Sequence, residues 1–498
     1  MDQVDVLFVM PPTDLAASYG NLKDFANAAP SLGFAYMAAN LQKNGYKVAI
    51  LDGYSRQLSV QEVVAEVARQ KPRLVGLTVL STSAQVTEDI CVGLRKAAPD
   101  ILIVGGNTHC QVFYQDILER QVMDVIVFRE GEHIMVRLMK ALDAGEGLES
   151  VAGIAFQRQG QVVECAEDTF LDDLDDLPFP AWDLYDLDSY ALDPRGAAKS
   201  KIGKPKPLQI LGTRGCPMAC TFCSSRSERS QGTKYRMRSP ENIVDEIEYM
   251  VNRYGANMFT FMDLSFPLVY KHAVAMCDDI IKRGLNKKII WYSECRVKPL
   301  HEDIFQKMRD AGCVRVSFGI ESMNDETLAR IRKGFTANDV RKACAAAHRA
   351  GLEIDGMFML GLPDETQEMA LNTAREACKL PVRFAIFNLF TPYPGSELYD
   401  ELMAAGEIKF ARWSDFTSYW TIGNGQPVYV PKGWTPQELI SVQAQAMKRF
   451  YLRPKFILQE LMNFKPSMIK TYLSGLRGLL NMGRQQAQTW PIPQKDTL

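Results

Sequence analysis

The run Arg214-Gly215-Cys216-Pro217-Met218-Ala219-Cys220-Thr221-Phe222-Cys223 sets three thiols in a CxxxCxxC triplet, directly after the apolar, strand-like segment 208–211. Three thiolates can hold three irons of a [4Fe–4S] cube and leave the fourth iron open to a substrate. A structural zinc site would need a fourth ligand, normally from a second close pair. No second pair exists here, and His272 lies far downstream. A disulfide framework is matched no better. The other eight cysteines (Cys91, Cys110, Cys165, Cys277, Cys295, Cys313, Cys344 and Cys378) stand singly in apolar segments, as buried thiols of a reducing compartment do. Cys216, Cys220 and Cys223 are therefore the candidate metal ligands and the candidate catalytic residues.

Around the triplet, six strand-like runs alternate with helical patterns: 208–213, 258–262, 289–293, 314–319, 354–360 and 384–390. Such alternation predicts a parallel sheet covered by helices, and six units suit a partial (β/α)6 barrel. Barrel function gathers at the carboxyl ends of strands. There the chain places Asp263 after the second strand, Glu294 and Arg296 at the third, and Gly319-Ile320-Glu321-Ser322 at the fourth. Gly361-Leu362-Pro363 follows the fifth, and Thr391-Pro392-Tyr393-Pro394-Gly395-Ser396 follows the sixth.

Upstream, the runs 4–10, 47–51, 74–80, 101–104 and 125–128 alternate with helices in the same way and predict a flavodoxin-like, doubly wound sheet. Ligands of such sheets sit outside the strand carboxyl ends at the switch point, so the loops 11–20, 52–56, 81–84, 105–110 and 129–132 form one rim. Ser81 lies on this rim. Gly105 and Gly106 let the backbone approach a ligand closely, and Gly131 opens the next helix with free amides. The fold class is thus α/β. The flavodoxin-like domain covers 1–145, a linker or hairpin 146–200, the partial barrel 201–398, and a mostly helical region 399–498 that ends in a basic amphipathic tail.

A chain of 498 residues, 47% hydrophobic and 23% charged, can bury several cores. Its net charge of −2 gives no general attraction to nucleic acid. Acids at Asp2 and Asp5 do not suit a signal peptide, and no apolar run reaches the ~20 residues that span a bilayer. These features predict a cytoplasmic protein.

The triplet, with an aromatic residue just before its last cysteine, resembles the cluster loop of the radical S-adenosylmethionine (SAM) enzymes. Pro30-Ser31-Leu32-Gly33-Phe34-Ala35-Tyr36, Leu51-Asp52, Val104-Gly105-Gly106-Asn107-Thr108-His109 and Arg129-Glu130-Gly131-Glu132 are similar to the cobalamin-binding domain fused to a large subfamily of them, the class B methyltransferase-like group. One departure from other cobalamin domains matters: no Asp-x-His-x-x-Gly occurs in the first rim loop, and His109 is the one histidine on the rim. Many members of the subfamily also lack the cobalt-ligating histidine. A single histidine is more often a hydrogen-bonding residue than a ligand.

The resemblance implies cofactors and roles. SAM would chelate the open iron, with Phe222 against its adenine. Asp263 would meet the amino group, Glu321 or Ser322 the ribose or carboxylate, and Arg296 the methionine portion. Charge-assisted bonds of this kind suit such residue types, although each could equally be an ion pair at a strand end. Lys333 is similar to a recurrent basic residue of the family, and equally to a helix-end lysine. Ser81, Gly105, Gly106 and Gly131 would touch cobalamin. The acidic stretch 168–183, with its regular leucines and aromatics, would dock between the two sheets rather than hang in solvent.

The implied activity is that of a cobalamin-dependent radical SAM C-methyltransferase. It would cleave SAM to a 5′-deoxyadenosyl radical, abstract hydrogen from an unactivated carbon and pass a methyl group from methylcobalamin to it. The same architecture also supports cyclisation, rearrangement or carbon–carbon coupling without methyl transfer. Methylthiolation would need extra cluster cysteines in the first domain, where Cys91 and Cys110 stand apart. A non-catalytic sensor with a structural cluster is a further alternative. The implied partners are a small-molecule substrate, a lipid among the candidates, and an electron donor such as flavodoxin or ferredoxin.

Beyond 398, Trp413, Phe416, Tyr419 and Trp420 cluster in a segment suited to cap the barrel mouth. In 441–484 eight bases face a single acid, Glu460, with aromatic and aliphatic residues between them. Such a pattern reads either as a membrane-surface element or as a helical pair packed under the barrel with its bases in solvent. Relatives acting on hopanoid lipids and porphyrin pigments have tails similar to Arg449-Phe450-Tyr451-Leu452-Arg453-Pro454. The tail from 485 onward is too polar to order itself.

Overall fold

Apolar strands separated by amphipathic helices bury both faces of a parallel sheet, and here they do so twice. The computed structural model describes residues 4–12, 29–168, 170–190, 203–226, 232, 234–417, 427–462 and 469–482. In the first sheet, β1 (Val6–Met10), β2 (Val48–Asp52), β3 (Leu74–Thr78), β4 (Leu102–Gly106) and β5 (Val125–Val127) run parallel in the order β2-β1-β3-β4-β5. That is the flavodoxin-like order, with the switch point between β1 and β3. Val6 to Val9 are buried on both faces, one core packing under Phe34, Leu138 and Met139, the other under Val63, Ile90 and Leu94. A hairpin, β6 (Ile154–Arg158) and β7 (Gln161–Glu164), adds antiparallel to β5, so this sheet continues to Glu164, past the boundary at 145.

The second sheet is β8 (Pro207–Ile210), β11 (Met258–Phe261), β12 (Ile290–Cys295), β13 (Cys313–Glu321), β14 (Glu353–Leu360) and β15 (Phe384–Leu389), all parallel. Its order β15-β14-β13-β12-β11-β8 leaves β8 and β15 unpaired with each other, which makes a partial barrel. A two-stranded ribbon, β9 (Thr213–Arg214) with β10 (Arg236–Met237), stands at the mouth.

Burial alternates along the later strands with the two-residue period of a pleat. Ile354, Gly356, Phe358 and Leu360 are buried toward the helices, whereas Met357 and Met359 are half-buried; Ala385, Phe387 and Leu389 alternate with Ile386 and Asn388 in the same way. The inward row therefore lines an open lumen. At the other end of the barrel, Arg315 stacks on Tyr292 and pairs with Glu353, which also takes Arg383.

The linker docks between the sheets. Trp182 is fully buried with its indole N–H 3.2 Å from Met250 Sδ, the Ala181 amide donates to Ala35 O, and the Tyr185 hydroxyl donates to Ser31 O. Beside it, the Arg238 guanidinium lies 2.5 Å from Glu246 and 3.2 Å from the Tyr36 hydroxyl, which itself donates to Glu246. Tyr36 belongs to the first domain, and the other two belong to the barrel. Burial pushes the Glu246 carboxyl up while Arg238 pulls it back down.

Breaking one side of a buried pair strands the other charge, at a typical cost of about 3–5 kcal/mol. Arg238→Met should therefore lower the urea unfolding free energy by that amount, and Tyr36→Phe by only about 1 kcal/mol, the worth of one hydrogen bond. Equal small losses in both would show that Glu246 carries no stranded charge.

Candidate functional site

The cysteine loop is fixed at both ends by backbone. After β8 the Gly212 amide donates to Asp263 Oδ2 at 3.1 Å. Gly215 has φ +80°, and a Cβ there would lie 2.1 Å from the Lys234 carbonyl oxygen, so glycine is required on both counts. The Thr221 amide donates to Ile331 O, and Thr221 O accepts from the Leu398 amide. Within this frame Cys220 is buried, and Cys216 and Cys223 are half-buried. Arg296 Nη1 is 3.8 Å from Cys220 Sγ, and Cys223 Sγ is 2.9 Å from Ser225 Oγ.

Burial raises the Cys216 thiol pKa; Arg296 and the Met218 amide act against this, and the charges of Cys223 and Cys220 act with it. Three sulfurs that feel one another, beside one guanidinium, form a donor set that a polynuclear iron cluster would neutralise. Among the described residues no group of three His, Cys, Asp or Glu side chains is arranged to hold a metal ion.

Next to Cys220 the lumen mouth gathers its charges. Glu321 sits at a bulge where the β13–β14 register shifts, with φ +65°. Its Oε1 receives Lys333 Nζ at 2.7 Å, and Lys333 lies 5.3 Å from the Phe222 ring centroid. The Lys333 carbonyl in turn accepts from Arg296 Nη2 at 2.6 Å. Glu294, its side chain exposed, opens on the same space; partial desolvation by the surrounding protein raises its pKa first, Glu321 raises it further, and Lys333 opposes both. Arg296, Glu321 and Phe222 thus come together as the sequence suggests, with Lys333 joining them.

Three expected contacts are turned elsewhere. Ser322 is fully buried and bonded to Thr373 and Asn324 in the helical layer, because the bulge swings it out of the lumen. Asp263 is buried too, and its Oδ2 accepts from the Gly212 amide at the start of the cluster loop. Ser81 Oγ lies 3.2 Å from His109 Nδ1, outside the crevice at the sheet's end. His109 itself is buried against Phe113 and Trp413, and desolvation pushes its pKa down to about 4, which leaves a neutral packing histidine. Trp413 thus docks on the first domain rather than over the barrel mouth; Tyr419 and Trp420 lie outside the described residues.

The crevice at the switch point has a volume of about 410 Å³ and is walled from both domains. Ser31 caps the helix Leu32–Lys43 at one wall, Gly105 and Gly106 end β4 at another, and Leu211, Arg214 and Met262 of the barrel complete it. A Cβ on Gly33 would meet nothing within 4 Å, and one on Gly106 only Val127 O at 3.9 Å. These positions give the open, side-chain-free wall that a broad planar macrocycle requires, so the residues fit cobalamin. Gly105 and Gly131 also line the crevice, and a Cβ on either would strike Met123 or Met37.

Two arginines close the seam. Arg214 donates to Glu132 at 2.6 Å and lies 3.2 Å from Glu130, while Arg236 grips both oxygens of Glu130 at 2.8 Å. Burial acts against the Glu130 carboxylate, yet Arg236 and Arg214 hold its pKa below the usual range. Arg214 stands two residues before Cys216, so the cofactor rim and the cysteine loop move as one piece. Arg214 and Tyr36 stand in the quoted motifs without a role assigned from sequence, and Arg236 and Arg238 stand in none. The signal for Arg214 was its place against the triplet; the others show themselves only as buried charges and a buried hydroxyl.

Comparison with known proteins agrees with this geometry. The family model of the radical SAM superfamily matches residues 210–377, and that of the B12 binding domain matches residues 20–139. The chain is 28% identical over 478 residues to an uncharacterized methyltransferase of Pyrococcus horikoshii, across 96% of this chain and 98% of that one. It is 28% identical over 437 residues to an anaerobic magnesium-protoporphyrin IX monomethyl ester cyclase of Cereibacter sphaeroides, across 86% and 68% of the two chains. Its fold is similar to that of TsrM of Kitasatospora setae, a radical SAM methyltransferase solved with cobalamin and a [4Fe–4S] cluster, with a TM-score of 0.68 at 17% identity over 94% and 90% of the chains.

Two outcomes follow from the geometry. Gly106→Leu should fill the crevice wall and cut cobalamin retained after reconstitution about tenfold with unfolding unchanged, whereas unchanged retention would place the macrocycle elsewhere. Burial raises the Asp263 carboxyl from 3.8 to about 6, so the folded chain binds that proton more tightly than the unfolded chain does. Its contribution is full below the unfolded value and is lost as pH rises through the folded one. Relative to Asp263→Asn, the wild type should lose about 3 kcal/mol of unfolding free energy between about pH 3 and about pH 7, measured in urea; parallel curves would refute the burial.

Proposed function

Because the chain belongs to the radical SAM enzymes that carry a cobalamin-binding domain, we propose that it is a C-methyltransferase acting on an unactivated carbon of a hydrophobic small molecule, a lipid among the candidates. It uses a [4Fe–4S] cluster, SAM and cobalamin. The observation that carries the reading is the shared crevice: its walls include Leu211, Arg214 and Met262 of the barrel, and Arg214 leads directly into the cysteine loop. A cofactor seated on the first domain then faces the lumen mouth. Bound there, the cluster supplies an electron for SAM cleavage and cobalamin supplies a methyl group.

The chain's own residues do the rest. Cys216, Cys220 and Cys223 hold the cluster, and Arg296 answers the charge of Cys220. Lys333 and Glu321 offer one cation and one anion, a match for the carboxylate and ammonium of an amino acid. Met357, Met359 and Ile386 give the lumen an apolar, half-open lining suited to a hydrophobic substrate and to the exclusion of water. A flavodoxin or ferredoxin is the kind of electron donor this chemistry requires.

A second reading, cyclisation or rearrangement without methyl transfer, is favoured by the cyclase among the relatives. Methyl-labelled SAM separates the two once the substrate is in hand: label in the product supports methyl transfer, while an unlabelled product formed with 5′-deoxyadenosine overturns it. Alanine at any one of Cys216, Cys220 or Cys223 should remove the cluster's visible absorbance and SAM cleavage together.

A further inference from the structure

The last two described helices turn apolar side chains outward. In Pro454–Met462, the residues Ile457, Leu458, Leu461 and Met462 are 44%, 58%, 66% and 70% exposed. Their spacing of one, three and one places them on a single face. In Ile469–Asn481, the residues Ile469, Leu473, Leu476 and Leu480 are each 45–49% exposed and follow the i, i+4, i+7, i+11 rhythm of one stripe. The opposite side of that helix is already occupied, since Leu479 and Met482 pack with Ala444 under the helix Pro436–Tyr451. Half of the exposed large hydrophobic side chains among the described residues therefore fall between Leu452 and Leu480. Scattered exposed leucines need no explanation, but two ordered stripes on consecutive helices do.

Charge selects the partner. Glu460 is the single acid from 439 to 484, and it is turned inward to Arg383 at 3.2 Å. Lys455 and Arg477 are exposed on the two striped helices, and Arg449 is exposed on the helix that leads into them. The outward charge among the described residues of this region is thus entirely positive, which matches an anionic headgroup layer and opposes a second positive copy of the same face. No helix among the described residues is long and apolar enough to cross a membrane, so the helices suit lying in the interface.

We propose that the helices Pro454–Met462 and Ile469–Asn481 dock this protein on the surface of an anionic lipid bilayer, with the leucine stripes in the acyl boundary and Arg449, Lys455 and Arg477 at the headgroups. The proposal is independent of the reaction the barrel performs. Flotation of the full chain with vesicles tests it. Vesicles of phosphatidylcholine with one third phosphatidylglycerol should carry about tenfold more protein than phosphatidylcholine alone, with the excess lost at high salt. The pair Leu461→Glu and Leu473→Glu, both on exposed positions, should abolish flotation while circular dichroism and cobalamin retention stay as in the wild type. Two results would overturn the proposal: equal flotation of that variant, or a wild type that stays off anionic vesicles and doubles in mass by light scattering, which would assign the stripes to a second copy.

Discussion

One guanidinium holds the molecule's two halves in register. Arg214 is enclosed by protein, with Glu132 at 2.6 Å and Glu130 at 3.2 Å, and Arg236 shares Glu130 from the neighbouring strand of the ribbon. Charges in a dry seam interact several-fold more strongly than at a surface, but their desolvation offsets much of the gain. What such a pair secures is geometry rather than net stability. Any rotation of the first domain against the barrel would strand a carboxylate, and the geometry it protects is the short path from the rim loop at Glu130 through β9 to Cys216.

A second seam limits the remaining freedom. Tyr36 reaches across to Arg238 and Glu246, and Trp182 fills the barrel's outer core while the neighbouring Ala181 packs on the first domain. The two seams adjoin, since the Arg214 guanidinium lies 5.7 Å from the Tyr36 ring centroid, and together they fix the barrel against the first domain where a single contact would leave a hinge. Rigid placement is what two cofactors on separate domains require, because reacting groups held in fixed geometry avoid most of the entropic cost of meeting. The linker therefore positions the site as much as it connects two sheets.

Much of this was legible in the chain. The strand alternation predicted both sheets, and the flavodoxin-like order expected for the first is the order found. The triplet announced its own chemistry. What stayed hidden was direction at strand ends. Ser322 and Glu321 are adjacent, yet the bulge at Gly319/Glu321 turns one into the helical layer and leaves the other paired with Lys333 at the mouth; a pattern with period two carries no information about where a register slips. The interdomain pairs were hidden for another reason. Glu132 and Arg214 are 82 residues apart, as are many pairs that never meet. The region 146–200 was read as a linker or hairpin without its pairing to β5, because two short strands carry too little alternation to mark a sheet edge.

The arrangement of charge at the lumen mouth explains how such a site tolerates both an anionic cluster loop and a zwitterionic ligand. Arg296 and Lys333 stand against Glu321 and Glu294, and the Glu294 pKa is already raised by partial desolvation and by its neighbour Glu321. With Lys333 bonded to Glu321, a ligand carrying both an ammonium and a carboxylate can exchange into that pair rather than bring uncompensated charge into a dry space. An exchange of partners costs little desolvation beyond what the Lys333–Glu321 pair has already met. On the proposed function, selectivity would come from geometry, since a ligand would have to answer both Lys333 and Glu321 while its remaining surface suits Phe222 and the methionine-lined lumen.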